Sequence, residues 1–140
     1  MIRLEKTPYG LRTTAPGFLT VQETQAWLAE IKVLSAEMRG PFTMLVDIRG
    51  QPAQAPAVTA LIQEAMVWLK THGMQRSAVV LDNPLSHMQI TRLARSTGVF
   101  AQERYLDASN DPAWEQKALA WLTEGREPAE PEAPSPSGRG

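Results

Sequence analysis

Two short apolar runs in this chain each end in an acid and then a turn. Phe42-Thr-Met-Leu-Val-Asp-Ile-Arg-Gly50 is one, and Ser77-Ala-Val-Val-Leu-Asp-Asn-Pro84 is the other. Each leads into a stretch whose apolar residues recur at helical spacing. A nearly continuous apolar run that feeds an amphipathic helix is the pattern of a buried strand in a mostly parallel sheet, covered on both faces. The chain is therefore predicted to be an α/β protein with these two strands adjacent and central.

The flanking segments fit that frame. Ile2 to Thr14, broken by Pro8 and Gly10, predicts one bent strand or a two-strand hairpin at the sheet edge. Thr20 with Glu23 has capping-box spacing and predicts a helix that Gly40-Pro41 stops. A second helix is predicted from Pro56 to Gly73 with Val58, Leu61, Ile62, Ala65, Met66 and Leu69 on its apolar stripe. A third runs from about Leu85 to Gly98. Arg104-Tyr-Leu-Asp107 is a weak last strand. A last helix is capped by Asn110 or Asp111 and closed by Gly125. The expected order is β(β)αβαβαβα, in one domain over residues 1–125. From Arg126 the composition turns to Pro, Glu, Ala, Ser and Gly. Such a segment lacks the apolar surface to offset ordering entropy, so 126–140 is expected to be a disordered tail that adds nothing to stability.

Composition excludes several classes of function. A formal net charge of −1 gives no global field to gather nucleic acid or an anionic membrane. The chain has no Cys, hence no disulfide, thiolate metal site or Cys nucleophile. No stretch reaches the about 20 apolar residues of a membrane span, and Met1-Ile-Arg-Leu-Glu-Lys is no signal peptide. The expected location is cytoplasmic.

No catalytic constellation is visible. Asp47 and Asp82 stand at the carboxyl ends of parallel strands, where open α/β sheets bind ligands. They could hold a cation or act as acid and base; equally, each could cap a turn or bond a loop amide, the commoner role of such an Asp. His72 and His87 lie on different helices without ligand spacing. Gly50-Gln-Pro-Ala is neither a P-loop nor a dinucleotide fingerprint. Arg76, Arg92, Arg95 and Arg104 make at most a small basic patch. Of the four tryptophans, Trp27, Trp114 and Trp121 read as core. Trp68 and Met66 read as surface apolar anchors on the wide apolar arc of the second helix.

Leu45-Val-Asp-Ile-Arg-Gly50, Arg76-Ser-Ala-Val-Val-Leu-Asp-Asn-Pro84, Gln89-Ile-Thr-Arg-Leu-Ala94 and Ala118-Leu-Ala-Trp-Leu122 resemble, in order and spacing, the bacterial STAS/Sec14-like proteins called SpoIIAA-like after the anti-sigma-factor antagonist. The likeness runs from about Tyr9 to Leu122. It implies a mixed four- to five-stranded sheet with about four helices packed mainly on one side. It also implies a non-enzymatic, regulatory role as a protein-interaction module, or a Sec14-like binder of a small hydrophobic or lipid-like ligand. The wide apolar arc of the second helix adds the expectation of self-association, as a homodimer, and no motif calls for a cofactor. One departure is clear. Regulatory STAS antagonists carry a phosphorylatable Ser at the start of the helix after this strand, whereas Asp47–Pro56 contains no Ser or Thr. The switch position falls near Ala53, and the nearest hydroxyl, Thr59, lies inside the predicted helix. No phospho-switch is carried over. The candidate interaction or ligand positions are Asp47, Arg49, Met66, Trp68, Asp82 and Asn83. An interaction module should expose an apolar patch around Met66 and Trp68; a ligand binder should hold an apolar pocket of about 300 Å³ or more.

Overall fold

The computed structural model describes residues 1–130. Its strands are β1 (Arg3–Thr7), β2 (Gly10–Thr14), β3 (Phe42–Asp47), β4 (Met74–Leu81) and β5 (Glu103–Asp107). Its helices are α1 (Val21–Ala36), α2 (Pro56–Thr71), α3 (Pro84–Thr97) and α4 (Trp114–Glu124). The strands form one sheet in the order β1-β2-β3-β4-β5. β1 pairs antiparallel with β2, and every later pair is parallel. The α/β class, the element order and the adjacency of the two acid-ended strands are as the sequence predicts. The first segment resolves into the hairpin rather than one bent strand. At its turn, Gly10 has φ +150°, and a Cβ there would stand 2.1 Å from the Thr43 carbonyl oxygen, so only glycine admits this approach of β2 to β3.

Alternation along the strands separates two cores. Met44 and Val79 face α1, α2 and α3, together with Leu11, Ile31 and Leu69. Their neighbours Leu45 and Ala78 face α4, with Leu106, Trp121 and Leu122. Three helices thus cover one face and one helix the other, because each strand's side chains alternate between faces. Asp47 and Asp82 end neighbouring strands at the edge where α1, α2 and α3 begin.

Local chemistry sets the helix ends, with three differences from expectation. The Thr20–Glu23 capping box is formed in both directions. α1 ends at Ala36, short of Gly40, because the Glu37 and Met38 amides donate to carbonyls three residues back, Leu34 and Ser35, and tighten the turn. α4 is preceded by Ala113 with no side-chain cap; Asp111 instead accepts from the Ala113 amide and pairs with Lys117. β4 starts at Met74 and β3 stops at Asp47, each a short shift from the predicted bounds.

Met66 and Trp68 are not free anchors. Met66 is 7 % exposed and packs in the core beneath α2. The wide arc of α2 buries two flanks at once, one on the sheet and one on α1. Trp68 is half-buried on the second. Its indole N–H donates to the Ser35 hydroxyl at 2.9 Å, its ring stacks on His72 at 3.6 Å, and Lys32 Nζ lies 5.1 Å from the ring centre. Trp68→Ala is therefore expected to lower stability by about 1.5 kcal/mol, below the about 3–5 kcal/mol of a fully buried Trp. Urea unfolding of the variant checks this.

At the carboxyl end, the first tail residues make specific contacts. Glu127 pairs with Arg104 through both oxygens at 2.7 and 2.8 Å, and Lys117 Nζ donates to the Ala129 carbonyl at 2.9 Å. The remainder of the segment expected to be disordered, residues 131–140, lies outside the described residues.

Candidate functional site

The site is built from three connections at the carboxyl edge of the sheet: 15–20 after β2, 48–55 after β3, and the start of α3 after β4. Asp47 is 4 % exposed. Its Oδ1 accepts from the Arg49 amide at 3.1 Å and from Arg49 Nε at 3.0 Å. Its Oδ2 accepts from Arg49 Nη2 at 2.7 Å and from Arg12 Nη2 at 3.5 Å. Burial pushes this carboxyl up, but the bonds and charges of Arg49 and Arg12 together outweigh it and hold it below the usual carboxylate range. The Arg49 guanidinium in turn lies 4.7 Å from the Trp114 ring centre. Asp82 accepts from the Gly50 amide at 3.0 Å, and Asn83 caps α3 by accepting from the Leu85 and Ser86 amides.

Asp47, Arg49, Asp82 and Asn83 thus come together, and each is spent on backbone or on one another. No group of three or more His, Asp or Glu side chains among the described residues is placed to share a metal ion. Chemically this is a scaffold that holds a loop. Three of the arginines weighed as a basic patch have partners of their own: Arg104 pairs with Glu127, Arg76 Nη2 donates to the Leu122 carbonyl, both lie against Trp121, and Arg95 lies over Phe100.

What the scaffold holds was not singled out from the sequence. Gln54 is buried. Its side chain accepts from the Leu19 amide at 2.9 Å and donates to the Gly17 carbonyl at 2.9 Å. Its backbone is bonded twice by Gln89, at 2.7 and 3.0 Å. Gln51 donates to the Ala15 carbonyl. The three connections are sewn into one rim. On it Phe18, Leu85 and Met88 are 77 %, 64 % and 60 % exposed, around the exposed small residues Ala53, Ala55 and Ala57. A signal for this rim does exist in the sequence. Residues 14–20, 50–63 and 83–91 contain no Asp, Glu, Lys or Arg, although charged residues are 21 % of the chain. The runs are far apart in sequence, and only the parallel topology makes them neighbours.

Under the same helices lie two apolar cavities of about 50 and 40 Å³ that share Trp27, Val46, Ile62 and Ile90 as walls. Both fall well below the about 300 Å³ of a small-molecule site. The first is bordered by Glu103, which is fully buried and accepts from the Ser77 hydroxyl at 2.7 Å and the Tyr105 hydroxyl at 2.8 Å. Burial pushes its carboxyl up, more than these two bonds lower it.

No family model and no curated protein matches this chain. Among solved structures, one similar to it is an uncharacterized protein of the DUF3478 family from Shewanella loihica PV-4, with a SpoIIAA-like fold. It matches at TM-score 0.62 and 18 % identity, over 87 % of this chain and 92 % of that one. No helix among the described residues is long and apolar enough to cross a membrane. The shared fold agrees with the five-stranded mixed sheet and its four helices, and the chain has a SpoIIAA-like α/β fold.

Proposed function

We propose that this chain is a non-catalytic, cytoplasmic interaction module that docks a protein partner on the charge-free runs of the rim. The observation that carries the reading is the exposure of Phe18, Leu85 and Met88 on connections that Gln54 and Gln89 hold in place. Apolar side chains on a preordered surface bind with little further loss of conformational freedom. The acids that could have served catalysis are occupied, which supports a binding role over turnover. Absence of Lys and Arg from residues 14–20, 50–63 and 83–91 argues against nucleic acid or an anionic membrane as the occupant.

A photo-crosslinking residue placed at position 18 or 88, in the cell the protein comes from, is expected to give a discrete protein adduct. The same residue at position 64, which is exposed on α2, should give none. Equal labelling at all three positions, or none at any, would remove this reading.

The Sec14-like alternative draws on the two neighbouring cavities and their methionines Met44, Met66 and Met74, flexible side chains that can repack around a guest. Native mass spectrometry of protein purified from its own host tests it. A retained small molecule would favour it over the docking reading.

A further inference from the structure

We infer that the occupant of the rim is a second copy of this chain, joined edge to edge about a two-fold axis; the inference rests on the rim being a docking surface. The order β2-β3-β4 sets the three connections side by side, with 48–55 in the middle. Phe18 stands on one flank of that middle connection and Leu85 with Met88 on the other. A two-fold axis through the middle connection brings Phe18 of each copy onto Leu85 and Met88 of its partner. Each surface then carries both halves of the contact, as an isologous interface requires. Along the axis stand Ala53, Ala55 and Ala57, whose short side chains let the two backbones approach.

Charge makes the same point. Residues 14–20, 50–63 and 83–91, which supply the contact, carry no Asp, Glu, Lys or Arg, and the bordering Arg49 is paired with Asp47 and lies over Trp114. A net charge of −1 leaves almost no long-range repulsion between them. A partner chosen by charge would find none in these three runs to select it.

The test is sedimentation equilibrium of the full chain from about 5 to about 200 μM, a span over which a micromolar dimer shifts by mass action. The mass is expected to rise from 15.5 kDa toward twice that value. Phe18→Glu and Met88→Glu should each weaken association at least about tenfold, as expected for anchors near the centre of an interface. Both residues are exposed in the monomer, so both variants should melt as the wild type does. Val33→Glu and Val67→Glu, at exposed apolar positions on the outer helices, should associate normally. Raising NaCl from about 50 to about 500 mM should change the constant less than about twofold, since no ion pair is there to screen.

The inference fails if the wild type stays monomeric, if the two rim variants associate like the wild type, or if Val33→Glu and Val67→Glu dissociate the dimer instead. A monomer that still yields a crosslinked adduct with another protein at position 88 overturns self-association and leaves the docking reading standing. A monomer with no adduct removes both.

Discussion

Glu103→Gln is expected to raise the melting temperature at about pH 8 by several degrees, a shift of about 1 kcal/mol or more for a domain of this size. Glu103 lies inside the core with two hydroxyls as partners and no cation. Burial therefore raises its folded pKa above its unfolded value. A raised acid holds its proton in the fold after the unfolded chain has lost it. Its stabilising contribution is complete below the ordinary glutamate range, near about pH 4.3, and is lost as pH rises through the folded pKa. Stability of the wild type should thus decline on the alkaline side, and the Gln variant should lose that decline. Gln reproduces the protonated acid: its carbonyl accepts from one hydroxyl and its amide donates to the other. Glu103→Ala gives the opposite sign. It leaves the Ser77 and Tyr105 hydroxyls unpartnered and enlarges the cavity beside them, at a cost of about 3 kcal/mol. Chemical unfolding at a series of pH values separates the two variants. A Gln variant that keeps the alkaline decline would show that another group causes it.

The frame of this fold is legible in the sequence because it is written in near-neighbour patterns. Phe42–Ile48 and Ser77–Leu81 announce buried strands, Thr20 and Glu23 announce a helix start, and Gly98 and Gly125 end helices in the left-handed region as their positions imply. Met66 and Trp68 misled for a definite reason. An apolar arc too wide for one sheet face implies a second contact, and the sequence does not say whether that contact is a partner or a neighbouring helix. Here α1 supplies it through Ser35 and Lys32. Asp47 and Asp82 were placed correctly at the carboxyl edge. Their saturation was not legible, because Arg12 and Gly50 reach them only across strands. Gln54 and Gln89 read as ordinary polar residues until the topology brings them within hydrogen-bond distance. The site therefore lay in what the runs 14–20, 50–63 and 83–91 lack as much as in what they contain.

Removing the Asp47 carboxylate should reveal how that rim is held. Asp47→Ala takes away the acceptor for the Arg49 amide and for the Arg49 and Arg12 guanidinium groups at once. Breaking a buried ion pair costs about 3–5 kcal/mol when the orphaned charge stays buried. Arg12 and Arg49 keep 30 % and 42 % side-chain exposure and can turn to water, so about 2 kcal/mol is expected. The pH dependence runs opposite to that of Glu103. The folded pKa of Asp47 is depressed, so its contribution is present above the ordinary aspartate range and lost as pH falls through the folded value. The wild type should lose stability toward acid more steeply than Asp47→Asn, which keeps the shape and drops the charge. The functional consequence is local. Gly50 and Gln51 follow directly on Arg49, and their amides are bonded to Asp82 and to the Ile48 carbonyl. Hydrogen exchange at these two amides should accelerate at least about tenfold in Asp47→Asn, while exchange in the β4 core stays unchanged. Association through the rim should weaken in the same variant, although Asp47 is 4 % exposed and touches no partner itself. Unaltered exchange at Gly50 and Gln51 would mean that Gln51 and Gln54 hold the loop alone, and that the buried carboxylate anchors only its two arginines.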